Sequence, residues 1–133
     1  MSLFKVFDIA GSGMSAQSVR LNLTASNLAN SESVAGKPGE AYRARHPVFQ
    51  SVLDAESSAS VRTAGVVESN AENEARYVPG HPLADENGYV YASNVNTIEE
   101  MTNMISASRS FQQNVEVMNT SKELLLRTLR LGE

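Results

Sequence analysis

The chain contains no cysteine and no tryptophan. Without thiols there is no disulfide framework and no thiol chemistry. The compartment stays open, because such a chain passes through oxidising surroundings unchanged. Histidine is nearly missing too: His46 and His81, each followed by proline, are the only two. His81-Pro82 with Asp85 and Glu86 fits no zinc spacing, so a turn with solvated acids is the simpler reading, and neither metal nor cofactor is expected. No apolar run approaches the ~18 residues of a membrane span, which argues against direct membrane insertion. The opening MSLFKVFDIAGSG carries Lys5 and Asp8 and lacks a long apolar stretch, so a cleavable secretory signal is not expected. A formal net charge of -4 speaks against nucleic acid as a partner. Gly11-Ser12-Gly13 lacks the frame of a phosphate-binding loop. Asp85 and Glu86 are adjacent rather than spaced for glycosidic cleavage, and Ser12 and Ser15 have no base nearby in sequence. No catalytic residue is expected.

What the chain does have lies at its ends. It is 133 residues long, 41% hydrophobic and 20% charged, enough for one modest domain. Phe7, Met14, Leu21 and Leu28 recur every seven residues near the N-terminus, and Met104, Phe111, Met118 and Leu125 do so near the C-terminus. A heptad line on a helix must bury itself against another helix. The two ends are therefore expected to pair with each other or with neighbouring copies.

Residues 3–30 read as a helix whose seam runs Phe4, Phe7, Gly11, Met14, Ser18, Leu21, Ala25, Leu28. Small residues on the second line would let a partner backbone come close. The two glycines at 11 and 13 cost about 2 kcal/mol of helix stability relative to alanine and mark a break, a kink or a crowded contact. Lys5, Asp8 and Arg20 are the only charges in residues 1–30. A solvated helix normally carries more, so this one is read as surrounded by protein on several sides.

Residues 97–131 read as a second helix, about 50 Å long. Thr97 with Glu100 forms a capping box, and Gly132 supplies the stop. Met101, Ser108, Val115 and Leu129 accompany its main heptad line, while Ile98, Ile105, Leu124 and Leu126 fall off it and need cover of their own. The stretch between the helices is acidic, with nine Asp/Glu against five Lys/Arg from Glu32 to Glu86. It reads as loops and short strands: pieces split by Pro47, a polar loop DAESSAS, a strand pair or bent strand SVRTAGVVES, a turn at Pro79-Gly80, and a hairpin turn at Asn87-Gly88 leading into GYVYA. The expected fold is mainly α with a small irregular β region. An N-terminal helix (1–30) and a C-terminal helix (96–133) form a coiled coil, and an extended β-rich segment (31–95) lies between.

Three blocks carry a family resemblance. Ser26-Asn27-Leu28-Ala29-Asn30, within NLTASNLANSES at 22–33, resembles the N-terminal signature of the bacterial flagellar rod and hook proteins. YVPGHPLADENGYV at 77–90 and the stretch from Asn94 to Gly132 are similar to blocks of the same family, in the same order. Two positions depart mildly from the pattern: Ser93 stands where proline often precedes Asn-Val, and Phe111 where tyrosine is usual.

The resemblance implies an axial component of the flagellar basal body. Such a component is exported by the flagellar type III apparatus without a cleaved signal and stacks helically in the periplasm. It would form the proximal part of a hollow shaft that transmits torque and passes exported subunits. Both terminal helices would form the inner coiled-coil layer, with the middle segment outside. Implied neighbours are copies of itself, other proximal rod subunits, the distal rod protein and the base-forming rod adaptor. Asn27 is read as reaching a neighbouring chain, and Asn30 as a left-handed cap closing the first helix. The ends are expected to be loosely ordered in the free chain and to lock on assembly. Two other classes compete: a small peptidoglycan-cleaving enzyme, and a cytoplasmic helical export adaptor.

Overall fold

A computed structural model describes residues 2–53 and 58–132. Of the polar loop DAESSAS, residues 54–57 lie outside the described residues. Two long helices, α1 (Leu3–Ala29) and α2 (Thr97–Leu131), bracket five strands: β1 (Val34–Ala35), β2 (Arg45–Leu53), β3 (Ala59–Glu68), β4 (Ala75–Tyr77) and β5 (Tyr89–Ala92). The architecture is the expected one, mainly α with a small β region.

The helices form an antiparallel hairpin. Asn114 packs against Gly13, and the Arg20 guanidinium donates to Asn103 Oδ1 at 2.8 Å. As the chain rises along α1 it falls along α2. These two pairs place Leu3 opposite roughly residue 122, so the last two turns of α2 run about 13 Å past the start of α1.

β2 and β3 pair as a long antiparallel ribbon with one register shift at Val48/Phe49. Pro47 was expected to split this region, yet it pairs with Val66 inside one continuous strand. Each strand of a two-stranded ribbon has an open edge, and proline is tolerated where its missing N–H faces that edge. SVRTAGVVES is likewise a single strand rather than a pair. The ribbon lies along α1. The Ser12 hydroxyl accepts the Val61 N–H at 3.1 Å near the outer end, and Asn27 grips Arg45 at the base.

β5 is the centre of a small antiparallel sheet in the order β1-β5-β4. Its entry turn is held by one carboxylate: Asp85 Oδ1 accepts the N–H groups of Asn87 and Tyr89 at 2.9 and 2.8 Å. Gly88 sits in that turn at φ 83, where a Cβ would meet the Tyr77 ring at 2.9 Å. The Asn-Gly signal therefore marks a real turn, and Asp85 serves it as a structural acceptor. His81 does similar work, its Nδ1 accepting the Leu83 N–H at 3.1 Å.

Two helix-end expectations are corrected. The cap of α2 is Asn96, whose Oδ1 accepts from Ile98 and Glu99 N–H, and not a Thr97–Glu100 box. Glu100 is instead buried, with Oε1 3.9 Å from His46 Nδ1. Asn30 closes α1 at φ -103, ψ 7, outside the left-handed region, and its side chain donates to the Ser26 carbonyl at 2.8 Å. Gly132 ends α2, as expected, at φ -90 with its N–H donated to the Leu129 carbonyl.

Candidate assembly surface

Burial along the helices alternates between steps of three and four. On α1 the line Leu3, Phe7, Ala10, Met14, Gln17, Leu21, Thr24, Leu28 is buried or half-buried throughout. On α2 the matching line is Glu100, Met104, Ala107, Phe111, Asn114, Met118, Ser121, Leu125. These lines form the seam of the hairpin. The large heptad residues expected at a shared interface thus face one another within one chain.

The second heptad line is displaced by one residue in both helices. The expected companions on α1 were Phe4, Gly11, Ser18 and Ala25, but Ala10, Gln17 and Thr24 occupy the seam. The expected companions on α2 were Met101, Ser108, Val115 and Leu129, but Glu100, Ala107, Asn114 and Ser121 occupy it. The line that fills the seam mixes alanine with polar residues, and neither the small residues at 11, 18 and 25 nor the apolar ones at 101, 115 and 129 marked it.

The displaced residues share one side of the molecule. Each residue advances a helix by about 100°. Because α1 and α2 are antiparallel, positions one after the seam point to the same side of the hairpin, and positions one before it point to the other. The ribbon occupies the "before" side, where Ala16 and Asn27 are buried and Arg20 meets Asn103. The "after" side carries Phe4, Gly11, Ser15, Ser18, Asn22 and Ala25 of α1, with Met101, Ile105, Val115, Leu126 and Leu129 of α2. None of the described residues covers it: Phe4 is 69% exposed, Met101 56% and Leu129 62%. The low charge of α1 thus has two causes, since α2 and the ribbon cover two sides and the third is bare, small and polar.

The Ser26–Asn30 block fastens the end of α1 to the middle segment. Asn27, expected to reach a neighbouring chain, is instead 0% exposed. Its Nδ2 donates to the Arg45 carbonyl, while its Oδ1 accepts the Arg45 N–H and the Tyr42 hydroxyl, each at 2.9 Å. Asn94 Oδ1 accepts the Ala44 N–H at 2.7 Å, and Asn73 Nδ2 donates to the carbonyls of Tyr42 and Ala92. Ser93 donates its hydroxyl to the Ser31 carbonyl at 2.6 Å and its N–H to Ser33, two bonds that a proline could not make. Tyr42, Asn73, Asn94 and Asn96 were missed from the sequence. The available signal was a scatter of asparagines beside helix boundaries, where their side chains replace backbone partners.

Two family models match the chain. One described as "Flagella basal body rod protein" covers residues 7–36, and one described as "Flagellar basal body rod FlgEFG protein C-terminal" covers residues 86–131. Flagellar basal-body rod protein FlgC of Salmonella typhimurium is 52% identical over 134 residues, covering 100% of both chains. The FlgC proteins of Yersinia enterocolitica and of Buchnera aphidicola subsp. Schizaphis graminum are 52% and 43% identical, again over the full length of both chains. The chain belongs to the flagellar basal-body rod proteins. This is a family of structural subunits, not of enzymes, and its members assemble with other flagellar rod and hook proteins. The competing readings as a wall-cleaving enzyme or an export adaptor find no support. The two rod-family matches fall on α1 with its closing turn and on β5 with α2, which are the hairpin and its fastenings. Among the described residues of this rod protein, no helix is long and apolar enough to cross a membrane.

Proposed function

We propose that this rod subunit stacks helically in the periplasm, its hairpin in the inner coiled-coil layer and its ribbon and small sheet outside. In that place it forms the proximal part of a hollow shaft that transmits torque and lets exported subunits pass. Its neighbours are copies of itself, other proximal rod subunits, the distal rod protein and the base-forming rod adaptor. It reaches the periplasm through the flagellar type III apparatus without loss of a signal peptide.

One observation carries this reading. Among the described residues the largest fully buried side chains are Val90 and Asn27, and the buried apolar core is otherwise alanine. Ile98, Met101, Ile105, Leu129 and Leu131 meanwhile stand more than half exposed. Burying each of these contributes about 1.5–3 kcal/mol, and none of the described residues does so. A free chain with so small a core is loosely held, and neighbours complete it. Electron microscopy of basal bodies from a strain lacking the chain tests the proposal. Truncated or absent rods are expected; complete rods would overturn it.

A further inference from the structure

We propose that Asn87 is a site of spontaneous deamidation and isoaspartate formation, and that Asp85 holds this reaction in check. The reaction needs only water. The Gly88 nitrogen gives up its proton and attacks the side-chain carbon Cγ of Asn87. The new N–Cγ bond closes a succinimide ring, and the Cγ–Nδ2 bond breaks, releasing ammonia that carries a proton away. One water then opens the ring. Opening at the side-chain carbonyl leaves aspartate. Opening at the main-chain carbonyl leaves isoaspartate, whose backbone runs through the former side chain and is longer by a methylene. The balance is one water taken up and one ammonia released.

Sequence and structure both single out this asparagine. Of all the asparagines only Asn87 precedes glycine, and glycine alone lacks the Cβ that crowds ring closure. Its side chain is exposed, and its amide bonds none of the described residues. Asn30, which precedes the small Ser31, is tied down by contrast, its amide donated to the Ser26 carbonyl at 2.8 Å.

The attacking nitrogen is withheld by the turn. Gly88 is buried, and its N–H donates to the Asp85 carbonyl at 3.0 Å. Asp85 Oδ1 fixes the peptides on either side through the Asn87 and Tyr89 N–H groups at 2.9 and 2.8 Å. Asp85 also donates its own N–H to the Tyr89 carbonyl at 2.9 Å. A nitrogen whose proton is shared with a carbonyl neither loses it readily nor turns toward Cγ. The chemistry therefore waits for local opening of the turn.

The isoaspartate product does not fit the turn that forms it. A Cβ on Gly88 would already meet the Tyr77 ring at 2.9 Å and Pro79 at 3.1 Å, so a lengthened backbone has no room. The new carboxylate also follows Asp85 and Glu86 directly in the chain, adding like charge. The Val78 N–H to Gly88 carbonyl bond and the Tyr77–Tyr89 pair are anchored at this point. Conversion of Asn87 thus loosens β4 from β5.

The test uses the purified full-length chain. Wild type, Asp85→Ala, Asp85→Asn and Asn87→Gln are incubated at mildly alkaline pH, in buffer and in urea, then digested. Mass spectrometry and chromatography resolve the residue-87 peptide into its asparagine, aspartate and isoaspartate forms. In buffer Asp85→Ala should convert about tenfold or more faster than wild type, because two side-chain hydrogen bonds no longer oppose opening. Asp85→Asn keeps an acceptor oxygen and should stay near the wild-type rate. In urea the wild-type and Asp85→Ala rates should converge, and Asn87→Gln should stay unconverted throughout. Equal rates for wild type and Asp85→Ala in buffer, or an Asp85→Asn rate as fast as that of Asp85→Ala, would remove Asp85 from its role. Absence of conversion at Asn87 in urea, or earlier conversion of any other asparagine in buffer, would remove the site. None of these outcomes touches the rod-subunit reading.

Discussion

Two glycines two residues apart in α1 should respond in opposite ways to the same substitution. Alanine is about 1 kcal/mol better than glycine inside a helix. At Gly11 a new Cβ would have nothing within 4 Å, so Gly11→Ala should gain that amount in the free chain. At Gly13 the new Cβ would sit 3.0 Å from both Asn114 Oδ1 and Nδ2. Asn114 is not free to swing aside, because its Nδ2 donates to the Ser110 carbonyl at 2.8 Å. Displacing it sacrifices a bond worth about 1 kcal/mol, so Gly13→Ala should be neutral or destabilising by about 1 kcal/mol. The gap between the two variants is then about 1–2 kcal/mol, or several degrees in Tm for a chain of this size. Circular dichroism melts at 222 nm, with oligomeric state checked by sedimentation, would read it. Asn114→Ala should remove the penalty at Gly13 and leave Gly11→Ala untouched, with a coupling energy of about 1 kcal/mol in the double-mutant cycle. Equal effects of the two glycine substitutions would refute the close approach of the helices at Gly13 and the antiparallel register built on it.

Other consequences can be checked as readily. Asn27→Ala takes the side-chain partner from the Arg45 N–H and carbonyl and leaves the Tyr42 hydroxyl with Ser26 Oγ alone. At about 1–3 kcal/mol for each unsatisfied buried group, it should unfasten the ribbon, seen as faster amide exchange at Arg45 with α2 unaffected. Asn96→Ala should cost about 1 kcal/mol through loss of the α2 cap, whereas Thr97→Ala should cost a few tenths at most, as judged by the same melts. Met101→Asp should abolish motility and rod completion while preserving the helicity of the purified chain. Leu21→Asp should lower helicity as well, because it forces a charge into the seam within the chain.

Helix spans, the acidic β-rich insertion and the Asn87-Gly88 turn before β5 were legible in the residues, because each rests on local chemistry; that this turn ends a long connection from β4 rather than a two-residue hairpin was not. Heptad spacing, helix-end charges and Asn-Gly act within a few positions of themselves. The sequence by itself also determined that apolar surface would be left over, since its long aliphatic residues lie on more than one helical stripe. What tertiary structure alone decided was which stripe meets which. The seam is completed by Ala10, Thr24, Ala107 and Ser121, not by Phe4 and Met101, because close helix packing rewards small side chains that fit rather than large ones that repel water. The Asn27 grip on Arg45 and the Asn94 hold on Ala44 were equally out of reach, since a long-range hydrogen bond leaves no periodic trace. Antiparallel pairing then gathered the displaced stripes of both helices onto one side, turning two patterns in sequence into a single surface left for a neighbour.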